Sequence, residues 1–124
     1  MKKLLLLISL CLPGSLMAQK FFVEKTIEGT ERPIINKLIE SDYKIVFKED
    51  SADYTIKTVI NEVRKDKARG YLIIVNPKSG EMVAKTEQES ANSNVYNGLQ
   101  NAKVRVVNKI VDRYLLKTIS GLVK

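Results

Sequence analysis

Between residues 53 and 87 the chain alternates apolar and polar positions three times, with polar breaks between the runs. Asp53 to Val63 is rich in Tyr, Thr, Ile and Val, and Tyr54, Ile56, Thr58 and Ile60 share one face of an extended segment. Arg64 to Gly70 reads as a charged hairpin loop and Tyr71 to Val75 as the next strand. In Asn76-Pro77-Lys78-Ser79-Gly80, proline suits the early turn position and glycine the left-handed one, and Met82 to Thr86 returns. This pattern predicts a three-stranded antiparallel meander. Its apolar face must be covered by a second layer.

Two helices are predicted to supply that layer. From Leu99 to about Thr118, Ala102, Val106, Val107, Ile110, Val111, Tyr114 and Leu115 fall on one arc of a helical wheel. Arg105, Asn108, Lys109, Asp112 and Arg113 fall on the other, and Leu116 and Ile119 break the pattern by landing with them. Near the start, Lys20 to Ile27 alternates as a strand, with Phe21, Val23 and Ile27 on one side. Thr30 then stands as an N-cap, Pro33 sits in the first turn, and Ile34, Ile35, Leu38 and Ile39 make a stripe on a helix ending near Ser41. Tyr43, Ile45 and Phe47 mark a second strand, Glu49 to Ala52 a polar turn, and Glu89 to Gly98, with Asn92, Asn94 and Asn97, a loop. The order is β-α-β-β-β-β-α. It predicts an α+β two-layer sandwich with a mainly antiparallel sheet and both helices on one face. The first strand is expected to pair with the second through a right-handed crossover.

The first eighteen residues constrain location rather than fold. Lys2 and Lys3 precede an apolar run from Leu4 to Leu12, Pro13 and Gly14 break it, and Ala18 offers a small residue before Gln19. This is the order of a secretory signal peptide cut between Ala18 and Gln19, leaving one domain over 19–124. The run is too short to span a bilayer, so no transmembrane span is expected after processing. Leu10 stands where a lipoprotein signal places a small residue, which favours ordinary cleavage over lipid attachment at Cys11. Cys11 is the only cysteine, so the processed chain has no disulfide and is held by packing alone.

The chain has no histidine, and without Cys11 it has no cysteine. The common nucleophile–base pairs and nearly all transition-metal sites are therefore out of reach, and no catalytic residue, metal or cofactor is expected. Carboxylates remain. Glu49, Asp50 and Asp53 are the densest acidic group, but their spacing fits no calcium loop and suits a solvated turn. A Ser79–Lys78 dyad would lie in a hairpin turn, a poor place to desolvate a lysine. The net charge of +7 falls to +5 when Lys2 and Lys3 leave. The excess gathers at Lys65, Lys67 and Arg69, beside Arg64, and along Lys103, Arg105, Lys109, Arg113 and Lys117. Each group reads either as a contact for an anionic partner or as a solvated surface. Leu116, Ile119 and Leu122, with Val123, either cap the sheet or form an exposed apolar patch. Tyr96 and its asparagine-rich surroundings either line a shallow ligand site or form a tether.

Ser51-Ala52-Asp53-Tyr54-Thr55-Ile56, the hairpin, Asn76-Pro77-Lys78-Ser79-Gly80-Glu81 and the closing helix together resemble the N-terminal domain of the Tol-Pal translocation protein TolB. They also resemble envelope lipoproteins of similar fold, over roughly residues 34–118. The resemblance implies a non-enzymatic bacterial envelope module, periplasmic, secreted or outer-membrane-associated. It transfers no active site. The expected partner is an envelope protein or an anionic envelope polymer, not nucleic acid, and a homodimer is compatible with the sequence. The alternatives are a small-ligand carrier or inhibitor presenting its hairpin loops and, last, a carboxylate-based hydrolase.

Overall fold

The computed structural model describes residues 19–64, 66–92 and 101–122. The predicted leader and cleavage residue Ala18, Lys65, Tyr96 with most of the asparagine-rich segment, and Val123 lie outside the described residues. The elements run β1 (Lys20–Val23), α1 (Glu31–Glu40), β2 (Lys44–Ile45), a 3-10 turn (Glu49–Ser51), β3 (Tyr54–Arg64), β4 (Lys67–Val75), β5 (Met82–Lys85) and β6 (Glu89–Asn92). A closing helix follows as α2 (Ala102–Ile110), a π-helical turn (Val111–Leu115) and α3 (Leu116–Ser120).

The strands form one six-stranded sheet in the order β2-β1-β3-β4-β5, with β6 also against β4. It is a mixed sheet: β1 runs parallel to both β2 and β3, while β4 is antiparallel to β3, β5 and β6. The expected pairing of the first two strands through the short helix holds, and so does the meander β3-β4-β5. The Asn76 turn closes as its residues predict. Gly80 has φ +75° and donates its N–H to the Asn76 carbonyl at 2.7 Å, and Asn76 Oδ1 accepts from the Lys78 N–H at 2.9 Å.

Four local readings need correction. Arg64 and Lys67–Gly70, read as loop, are strand, because Asn61 pairs with Arg69, Glu62 with Ala68 and Arg64 with Lys67. Charged side chains are tolerated there because alternate positions leave the core. Glu89–Asn92 is a strand despite having no β-branched residue, held by pairing with residues 67–70 of β4. The first strand stops at Val23, and Ile27 lies beyond it, fully exposed. Thr30 precedes α1 without a side-chain cap; its hydroxyl is taken by that of Thr26 at 2.6 Å. Asn101, in contrast, caps α2 by accepting the Lys103 N–H at 2.7 Å.

One core gathers Phe21 and Val23 of β1, Ile34 and Leu38 of α1, Ile56 of β3, Leu72 and Ile74 of β4, and Val106, Val107 and Ile110 of α2. Phe21 meets Tyr43 edge-on at 5.6 Å and stacks on Tyr54 at 5.7 Å. Gly70 sits where β3 and β4 press together. A Cβ there would strike the Val59 carbonyl oxygen and lie 3.0 Å from Ile60 Cα.

The closing helix corrects the reading of its own end. At roughly 100° per residue, Leu115 reaches the edge of the arc held by Val106 and Ile110, and Ile119 falls beyond it. The π-helical turn spends one more residue than an α turn would and winds the stripe back. Leu115 and Ile119 are thereby fully buried, and Leu122 packs on the core. Leu116 is half-buried. Leu115, Ile119 and Leu122 thus close the core instead of forming an exposed patch. Among the described residues, no helix is long and apolar enough to cross a membrane.

Candidate functional site

Alternation along the strands gives the sheet a second face, opposite the residues of the core. Phe21↔Tyr54 and Val23↔Ile56 pair on the core side, so Lys20, Phe22, Thr55 and Lys57 point the other way. The same parity puts Val59, Lys67, Arg69, Tyr71, Ile73 and Lys85 on the second face. Thr55 is buried there, its hydroxyl donating to Glu49 Oε2 at 3.0 Å. Phe22, Lys57, Val59, Lys67, Tyr71 and Ile73 are half-buried, and Arg69 and Lys85 are exposed. The face is therefore apolar at its middle and cationic above and around it.

Its cations differ in how they are held. Lys57 lies 3.8 Å from Glu24, a long and solvated pair. The Lys85 ammonium sits 4.6 Å from the centroid of the Tyr71 ring. Lys67 and Arg69 have no carboxylate within ion-pair distance among the described residues. Arg69 pairs with Ser90 across the β4–β6 ladder, and a shallow hollow of about 240 Å³ lies between Lys67, Arg69, Gln88, Glu89 and Ser90. Thus Lys67 and Arg69 come together on a sheet face and not on a loop tip, while Arg64, at the hairpin end, is paired with Asp66 at 3.3 Å.

The other basic group of the sequence, Lys117 apart, is committed internally. Lys109 Nζ donates to the Ser90 carbonyl at 2.9 Å, and the Arg105 guanidinium donates to that of Asn92. Arg113 Nη1 and the Tyr114 hydroxyl both donate to Glu89 Oε2, at 3.0 and 2.9 Å. Lys103 meets Glu28 at 3.3 Å. The Tyr114 hydrogen bond, with help from Arg113 and against partial desolvation, holds the Glu89 carboxyl below the usual carboxylate range. The same bond pushes the Tyr114 hydroxyl up. This clamp went unread because its acceptors, two backbone carbonyls and one carboxylate, belong to a segment that looked like loop.

The acidic group and the C-terminal apolar residues have structural work. Glu49 accepts from Thr55, and Asp53 Oδ2 accepts the Lys20 N–H at 2.9 Å. Ile119 and Leu122 belong to the helix–core contact described above, and Leu116 is half-buried. Gln19, expected as the new N-terminus, is half-buried beside β1. A hollow of about 260 Å³, lined by Phe22, Val23, Ile35, Ile45, Val46 and Phe47 together with Lys25, Glu31 and Arg32, is below the usual size of a small-molecule site. Phe47, at its rim, is largely exposed rather than packed with Tyr43 and Ile45.

No family model and no curated protein matches the chain. Its fold is similar to that of a minor lipoprotein from Acinetobacter baumannii, with TM-score 0.52 and 12% identity over 84% of this chain and 92% of that one. It is also similar to a variant of PelC from Paraburkholderia phytofirmans, solved as a dodecamer, with TM-score 0.51 and 14% identity over 75% and 82% of the two chains. A lipoprotein from Neisseria meningitidis aligns at TM-score 0.47 and 11% identity, over 77% of this chain and 99% of that one. The chain thus has an α+β fold found among bacterial lipoproteins.

Proposed function

We propose that this chain is a bacterial envelope protein, exported by means of residues 1–18, that acts by binding through the second face of its sheet and carries out no covalent step. The observation that carries this reading is the state of that face. Lys67 and Arg69 lack acidic partners among the described residues, beside half-buried Tyr71 and Ile73, while Lys103, Arg105, Lys109 and Arg113 of the helix are engaged internally. The lipoprotein-like fold, the leader and the TolB-like run at Ala52-Asp53-Tyr54 support the compartment.

A photocrosslinking residue placed at Ile73 or at Lys117, in the native cell, tests the reading. Ile73 lies on the face and Lys117 is exposed on the closing helix. Adducts at 73 and none at 117 are expected. Equal yields at the two positions would defeat the assignment.

A second reading, self-association, is favoured by one observation. Met82 and Val83 of β5 are 54% and 41% exposed at the outer side of the sheet. Exposed apolar side chains beside an open strand edge invite a second strand. PelC, of similar fold, was solved as a dodecamer. Light scattering across a concentration series separates a monomer from an assembly.

A further inference from the structure

Building on the reading of that face as a binding surface, we infer that its occupant is a linear polyanion, an acidic polysaccharide bearing regularly repeated carboxylates. Complementarity of charge is the first argument. Lys57, in its long and solvated pair with Glu24, and Lys85 flank Ile73, each one strand away from it, and Arg69 and Lys67 follow along β4. At about 3.3 Å per strand residue, positive charge recurs over roughly 20 Å along one direction. A single small anion would engage only one end of that row. A chain of repeated anionic groups would engage all of it, and release of its counterions favours such multipoint contact.

The relief of the face is the second argument, and it separates a polymer from other anionic surfaces. A bilayer is held by apolar side chains that reach below the headgroups. Here Val59, Tyr71 and Ile73 are half-buried among the cationic stems. A folded protein partner needs an apolar anchor or a pocket near the centre of the contact. At this centre the Lys85 ammonium, 4.6 Å from the Tyr71 ring centroid, lies over the apolar middle and presents charge above it. A shallow, extended, cationic face without anchors suits a flexible polyanion.

The test uses the purified protein with polygalacturonate as probe, neutral dextran as control, and vesicles containing phosphatidylglycerol as the competing surface. Polygalacturonate should bind and dextran should not. Affinity should fall about tenfold or more as salt rises from low to several times physiological strength, because exposed charges are screened. The triple reversal Lys67→Glu, Arg69→Glu, Lys85→Glu should lose at least about tenfold in affinity. Changing the same residues to Gln should give an intermediate loss. Lys117→Glu, on the closing helix, should leave binding in place. A thermal melt of each variant establishes that it is folded, and the Gln series keeps the test decisive if the reversal does not fold. Absence of polygalacturonate binding, or binding indifferent to both triple variants, overturns the inference. So does binding to the vesicles in its place. If crosslinks at Ile73 persist in the cell while the polymer fails to bind, the polyanion is wrong and the face remains a binding surface. If both fail, the face itself is wrongly assigned.

Discussion

Two groups of cations of similar size sit on this small domain, one along the closing helix and one on the second face of the sheet. On the helix, Lys109 and Arg105 donate to carbonyls of β6 and Arg113 donates to Glu89. On the sheet, Lys67 and Arg69 meet no carboxylate among the described residues. The difference lies in what the neighbouring strand leaves unsatisfied. β6 pairs with β4 on one side, so its remaining carbonyls need donors, and the helix brings them. The sheet face has its backbone already paired, so Lys67 and Arg69 have no carbonyl left to satisfy. Basic residues close a fold in the first case and are left over for something else in the second.

The largest expected effect breaks the helix side of this comparison outright. Ile119→Asp would bury an unpaired charge at a fully buried position and should leave the domain largely unfolded at ambient temperature. Ile119→Ala should cost about 2–5 kcal/mol, read from urea melts. A midpoint unaltered by Ile119→Ala would return Ile119 to the surface.

That position also shows where sequence reading stops. The meander, the β1–β2 pairing and the core arc at Val106 and Ile110 were legible because strand and helix periods are local properties. Ile119 was not, since a change of helical period is decided by what the helix packs against, not by its own residues. Glu89-Ser90-Ala91-Asn92 was missed for a related reason: its extended form is imposed by β4 and the helix cations. Of the candidate site, Lys67 and Arg69 could be named from the sequence. Their grouping with Tyr71, Ile73 and Lys85 required the register.

The next effect sharpens the comparison. Lys67→Gln with Arg69→Gln should lower partner binding several-fold and leave the melting temperature nearly unchanged, since surface substitutions without partners stay within about 0.5 kcal/mol. Lys109→Met should do the reverse, losing about 1 kcal/mol with the Ser90 carbonyl bond and keeping binding. Denaturation and a binding titration on the same two proteins decide the matter. A Lys109 variant that loses binding while keeping its stability would erase the distinction.

The smallest effect is a dependence on pH. The Glu89 carboxyl is held low in the folded protein, so its contribution is present above its unfolded pKa and is lost as pH falls through the folded value. Tyr114 is raised, so its contribution is complete below the ordinary phenol range and is lost as pH rises through the folded value. Tyr114→Phe should weaken both limbs of a plot of melting temperature against pH. Glu89→Gln should lower stability at neutral pH and flatten the acid limb. An acid limb identical in wild type and Glu89→Gln would show that the clamp carries no proton linkage.

The π-helical turn means that this chain contains one residue more than its architecture requires. Removing Asp112, which is exposed, would let residues 111–115 rewind as an ordinary α-helix while everything after them kept its place. Ile119 and Leu122 would move back by one position on the wheel, which returns them to the same side of the axis. The domain should therefore survive a deletion in the middle of its longest helix. The same deletion four residues earlier, at Asn108, should be resisted because it would turn Ile110 and Val111 away from the sheet. In a family of such proteins, this is where helix lengths would be expected to differ by one while the surrounding core stayed in step.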